Sequence, residues 1–192
     1  MGILRQLKTA ISLLLILTLL TGVIYPALVT GIAQLFFPFQ ANGSLIKYNN
    51  KIIGSQFIGQ SFTDDNYFWG RPSATQPYPY NATNSSGSNL GPTNPSLLTA
   101  IKTRIANLQK NSPHNKKELI PVDLVTASGS GIDPEISPFA AMYQVPRVAK
   151  TRKIPEEKLR SLIQKLTKNR YFGILGESRI NVLQLNLALD NL

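Results

Sequence analysis

Few side chains here can do acid–base, metal or nucleophilic chemistry, and they are scattered. His114 is the single histidine, in the polar stretch NSPHNKK. A catalytic triad needs a buried imidazole oriented by a carboxylate, so His114 reads as a surface residue. The chain has no cysteine, which excludes thiolate chemistry and Cys-based metal sites. Asp64 and Asp65 could attract a cation, but adjacent acids in a loop read first as solvated groups. No phosphate-binding loop signature of the P-loop or dinucleotide type occurs. Two glycine–serine stretches remain, residues 85–89 (SSGSN) and 128–131 (SGSG). Each could present backbone N–H groups to an anion. The plainer reading is a pair of tight turns using glycine for positive φ. This inventory makes no enzyme by itself and fits an accessory subunit better than a catalyst.

The elements that must carry these residues are mixed. Residues 45–62 (LIKYNNKIIGSQFIGQSF) have β-branched and aromatic residues around Asn49-Asn50 and predict a hairpin. Residues 63–94 form a long Gly-, Pro-, Ser- and Asn-rich stretch. Tyr67, Phe68, Trp69, Tyr78 and Tyr80 have large areas to bury and predict that it is ordered. Asn94 as N-cap and Pro95 at the first position open a helix with Leu97, Leu98, Ile101, Ile105 and Leu108 on one face. Asn111-Ser112-Pro113 is expected to end it. Residues 118–125 (ELIPVDLV) read as a buried strand, and Ser137-Pro138 opens a short helix expected to stop before Pro146. Residues 155–168 predict an amphipathic helix with Leu159, Leu162, Ile163 and Leu166 inward. Leu183, Leu185, Leu187 and Leu189 alternate with Gln184, Asn186 and Ala188, which predicts a half-buried strand. Interleaved helices and strands imply a mixed α/β (α+β) soluble domain.

No Asp, Glu, Lys or Arg occurs in residues 9–46, and residues 11–32 read ISLLLILTLLTGVIYPALVTGI. About 20 apolar residues cross a ~30 Å hydrocarbon core, so a single N-terminal transmembrane helix is expected. Pro26 is tolerable in such a span. Thr18, Thr21, Gly22 and Gly31 are small residues suited to close packing against partner helices. The competing reading is a cleaved signal peptide with a late small-x-small site at Gly31-Ile32-Ala33, but the hydrophobic run outlasts a normal h-region. Arg5 and Lys8 are the only charges before the span, so the positive-inside rule puts the N-terminus in the cytoplasm and the domain outside. The expected organisation is residues 1–8 cytoplasmic, 9–37 spanning and interfacial, and 40–192 extracytoplasmic.

Two of the 20 Lys and Arg precede the span, so the remaining 18 against 10 acids give the soluble part a formal charge of +8. The basic residues are dispersed, the densest runs being Lys116-Lys117 and residues 147–153, and no nucleic-acid-binding signature accompanies them. A basic surface beside anionic lipid headgroups accounts for the charge without nucleic acid.

Several long motifs then occur in order: QANGSL (residues 40–45), IGQSFT (58–63), YFWGRPSAT (67–75), SGSNLGPTNP (86–95), PVDLVTASGSGIDPEISP (121–138), RVAK (147–150) and NVLQLNLALD (181–190). Over essentially the whole chain the sequence resembles the C subunit of the bacterial Kdp potassium-transporting ATPase. Gly87-Ser88 stands where that family often has two glycines. The resemblance implies an accessory subunit of an inner-membrane potassium uptake pump. It also implies three partners: a channel-like potassium-binding subunit, a P-type ATPase subunit and a small F subunit. The chain lacks the DKTGT phosphorylation sequence of the ATPase subunit. The family description of a catalytic chaperone that raises ATP affinity would make ATP a shared cofactor, with Ser86, Gly87, Ser88, Asn89 and Gly91 as candidate contacts. An outer location of the domain conflicts with direct ATP contact. The physically easier expectation is a structural cap at the outer potassium entrance.

Overall fold

The computed structural model describes residues 2–111 and 118–192. Two compact units are present, residues 1–45 and 46–192. The first is built on α1 (Ile3–Leu19), a π-helical segment (Leu20–Ile24) and α2 (Tyr25–Phe36), followed by the short α3 (Pro38–Ala41). The apolar helix Ile3–Phe36 thus exceeds the expected span, with a mean hydropathy of 2.3 and no buried residue in its most apolar window. Its π-helical segment has a local cause. Pro26 has no N–H and its ring would crowd the carbonyl four residues earlier, that of Gly22. The helix widens there, and the Tyr25 N–H bonds back to Leu20 O.

The second unit starts with the predicted hairpin, β1 (Leu45–Tyr48) and β2 (Lys51–Ser55). Asn49 and Asn50 hold the positive φ values, 48° and 62°, that a two-residue hairpin turn requires. The long loop leads into α4 (Pro95–Asn111), whose Leu108 is buried and whose Ile101 and Ile105 pack on the core. The expected terminator Ser112-Pro113, together with His114, Lys116 and Lys117, lies outside the described residues.

Three sequence expectations change. Residues 118–125 form no strand: a single 3-10 turn, Val122–Leu124, follows Pro121, with Leu124 inward and Val122 exposed. The helix α5 (Pro138–Arg152) does not stop before Pro146 but runs through it, until Lys153 takes a left-handed φ of 56°. Val145, Val148 and Ala149 are all buried in the core, and that packing works against the ~3 kcal/mol that an interior proline typically costs. The expected strand at 183–189 is instead α7 (Val182–Asp190). Of its five buried positions, Val182, Leu185, Asn186 and Leu189 follow the i, i+3, i+4, i+7 helical rule and Leu183 flanks them, and Asn181 caps the helix by accepting from Gln184 N at 3.0 Å.

The amphipathic helix α6 (Glu156–Leu166) matches expectation and buries Leu159 and Ile163 against α5 and α7. A minimal antiparallel pair, β3 (Glu135–Ile136) and β4 (Ile180–Asn181), ties the segment before α5 to the segment before α7. The fold is therefore a mixed α/β unit in which helices outweigh strands. Between α6 and β4, residues 168–179 form a hairpin-like arm closed by reciprocal 2.9 Å bonds between Lys168 and Arg179. Tyr171, Phe172, Ile174 and Leu175 are exposed on it.

Candidate functional site

The long loop is held by side chains that do the work of a missing strand. Gln144 on α5 accepts from Trp69 N (2.7 Å) and donates to Trp69 O (3.1 Å). Asn186 on α7 does the same for Phe68, with both bonds at 2.9 Å. Each buried amide mimics a peptide partner, so consecutive loop residues are satisfied without a sheet. Arg147 completes the clamp. Its Nη1 donates to Asp65 O (2.6 Å), its Nη2 to Gln144 Oε1 (2.7 Å), and its guanidinium lies 4.1 Å over the Trp69 ring. Burial pushes the Arg147 pKa down to about 10 against the opposing pull of Asp65. Arg152 repeats the device one turn on, donating to Asn66 O and Asp190 and lying 4.8 Å over Tyr67.

The Asp64-Asp65 pair accordingly belongs to a braced loop. The Asp65 carboxylate lies 3.9 Å from Arg147, and Asp64 O accepts from Trp69 Nε1. Among the described residues no cluster of three or more His, Cys, Asp or Glu could hold a metal ion.

The middle of the loop is braced against the segment before β3. Arg71 Nη1 is 3.2 Å from Asp133 Oδ2, Ser73 Oγ donates to Gly131 O (2.6 Å), and the Tyr80 hydroxyl donates to Arg71 O (2.5 Å). Burial first, and then Asp133, push the Tyr80 phenol up to about 12, with Arg71 opposing. The two glycine–serine turns meet here. Ser85 Oγ donates to Ser130 O (2.9 Å), a Cβ on Gly87 would lie 2.8 Å from Gly129 O, and one on Gly131 would run into Ser86 O. Of the sequence candidates, Ser86 and Gly87 therefore sit at a backbone crossing. Ser88, Asn89 and Gly91 run exposed toward α4. Residues 81–94 contain no Lys or Arg, and the space over Gly87 is filled by backbone. A triphosphate is held by open N–H groups and cations, and residues 81–94 supply no cation of their own.

In the first unit the π-helical segment decides which small residues share a face. A π-turn absorbs about one extra residue, rotating the positions beyond it by roughly 100° relative to a continuous α-helix. Thr18 and Thr30, about 120° apart in an uninterrupted helix, come within roughly 20°. Gly22 lies about 40° from Thr18, so Thr18, Gly22 and Thr30 form one narrow stripe across the bend. Thr21 flanks it with its hydroxyl bonded to Leu17 O at 2.7 Å, and Gly31 turns about 120° away from Thr18. Sequence spacing alone does not single out Thr30, because the π-turn changes the phase.

One apolar helix of membrane-spanning length, followed by a mixed α/β unit whose longest loop is braced by buried amides and arginines, is compatible with a single-pass membrane protein. The chain matches the family described as "KdpC: K+-transporting ATPase, c chain" over residues 7–191. It is 57% identical over 188 residues to the potassium-transporting ATPase KdpC subunit of Methylococcus capsulatus, covering 98% of both chains. It is 59% identical over 186 residues to that of Polaromonas naphthalenivorans, covering 97% of this chain and 94% of the relative. The chain belongs to the KdpC family, and with it to the accessory subunits of potassium pumps.

Proposed function

We propose that the chain is a non-catalytic assembly subunit that docks through its apolar helix onto the membrane subunits of the pump. The observation carrying this reading is the helix itself, whose most apolar window buries nothing within the chain and which aligns Thr18, Gly22 and Thr30 across its π-turn. Small-residue stripes let helix backbones approach closely in lipid, where apolar burial alone gives no preference. The partners are the channel-like potassium-binding subunit, the P-type ATPase subunit and the small F subunit. Thr21 borders the docking face, and Gly31 is turned away from it.

Arg5 and Lys8 favour an N-terminus inside and residues 46–192 outside the inner membrane. A reporter fused after Leu192 and active only in the periplasm is expected to be active, and an inactive fusion with a stable chain overturns that topology. On this topology any effect on ATP affinity is transmitted through the membrane subunits, with no ATP bound by this chain. The soluble unit then caps the outer potassium entrance.

The test is an exchange of residues 9–37 for an unrelated single-span helix with Arg5 and Lys8 kept. The chain is expected to stay in the membrane but fail to co-purify with the pump. Retained co-purification together with potassium-dependent ATP hydrolysis overturns the reading.

A further inference from the structure

A cleft of about 490 Å3 lies between the middle of the long loop and α4, lined among others by Phe62, Trp69, Arg71, Tyr80, Arg104 and Leu108. Its size falls within the ~300–1,000 Å3 of small-ligand sites, and its wall combines apolar surface with a few polar groups. Among the described residues its lining holds two arginines and no carboxylate.

Neither guanidinium is fully used. Arg104 Nη1 donates to Val125 O at 2.8 Å, and no ion pair within 4.0 Å among the described residues includes Arg104. Its burial lowers its pKa, the mark of a cation held with too little compensation. Arg71 faces Asp133 at 3.2 Å and reaches Ala127 O only at 3.4 Å, while its Nε is buried with no hydrogen-bond partner. The aromatic part is set firmly, because Trp69 is clamped by Gln144 and Arg147, and Tyr80 is tied to Arg71 O.

The geometry points to a binding site for a phosphate monoester attached to a flat apolar body. Arg104 and Arg71 take the oxyanion, and Trp69, Phe62 and Tyr80 take the body. A guanidinium fork matches phosphate oxygens two at a time, and an oxyanion supplies the countercharge that Arg104 lacks. The site is separate from the glycine turns at residues 85–89 and 128–131 and does not depend on the docking role of the helix. A free monoester and the headgroup of phosphatidic acid both offer the monoester oxyanion.

Trp69 is the only tryptophan in the chain and lines the cleft, so its emission reports occupancy. The experiment titrates phenyl phosphate into the full chain in phosphatidylcholine nanodiscs. A saturable change in Trp69 emission is expected, with inorganic phosphate binding several-fold more weakly. Arg104→Gln is expected to weaken binding at least tenfold, and Arg104→Lys by less. Lys102→Gln, an exposed change on the same helix, is expected to leave binding unaltered. Circular dichroism verifies that each variant is folded. If the occupant is a lipid headgroup, phosphatidic acid nanodiscs shift the emission unaided and weaken phenyl phosphate binding; if it is a free monoester, both lipids give the same titration. No saturable change up to about 50 mM, or equal weakening in Lys102→Gln, overturns the site, the latter as diffuse attraction to a basic surface.

Discussion

Single side chains hold the loop. Tyr80 is the clearest because its phenol is raised to about 12 by burial and by Asp133. A group whose folded pKa lies above its unfolded value lends stability that is complete below the unfolded pKa, here 10. That contribution is lost as pH rises through about 12. Arg147 acts in the opposite sense: lowered to about 10, it is relieved of a buried charge over the same range. Because the two overlap, total stability is a poor readout and the phenol itself is a good one. An ultraviolet titration of the folded chain is expected to include an ionisation near pH 12 that is lost in Tyr80→Phe. An unchanged titration curve in that variant refutes the buried, Asp133-facing environment. Little of this is legible in the residues. Gln144, Asn186 and Arg147 carry no motif that announces a clamp, and the only signal is a polar amide at a position the packing pattern turns inward.

At the scale of elements, the long loop behaves as a partner of α5 and α7 rather than as a connection. Its order is legible from five aromatics in a Gly- and Pro-rich stretch, since that much apolar area demands burial. The helix α7 reads as a strand in the sequence because leucines at 183, 185, 187 and 189 satisfy period two. The buried Asn186 and the cap at Asn181 satisfy the helical period. The Pro146 expectation fails because proline's local cost is smaller than the burial of the residues around it. The joined glycine turns test how tightly these segments meet. Gly131 has φ +69° and no room for a Cβ, whereas Gly91 has nothing within 4 Å of one. Gly131→Ala is expected to destabilise the full chain by about 2 kcal/mol or more, through both the positive φ and the clash. Gly91→Ala is expected to stay within about 0.5 kcal/mol. Equal thermal shifts for the two variants contradict the backbone crossing.

For the whole molecule, the apolar run and its charge asymmetry are legible at once, because membrane solvation acts on long stretches rather than on particular contacts. The docking face is not. Thr18 and Thr30 look unrelated on a regular helix, and only the π-turn that accommodates Pro26 brings them together. The central claim is that this face, and not hydrophobicity alone, joins the chain to its pump. Deleting Leu28, between the π-helical segment and Thr30, tests it most directly, because it leaves the π-turn in place and rotates Thr30 by roughly 100° away from Thr18 while leaving a full apolar span. Deleting Leu13 instead leaves the spacing between Thr18 and Thr30 intact. The measurement is co-purification of each variant with the pump subunits from membranes. Loss with the Leu28 deletion and retention with the Leu13 deletion are predicted. Full co-purification of the Leu28-deleted chain, with normal potassium-dependent ATP hydrolysis, would contradict the claim.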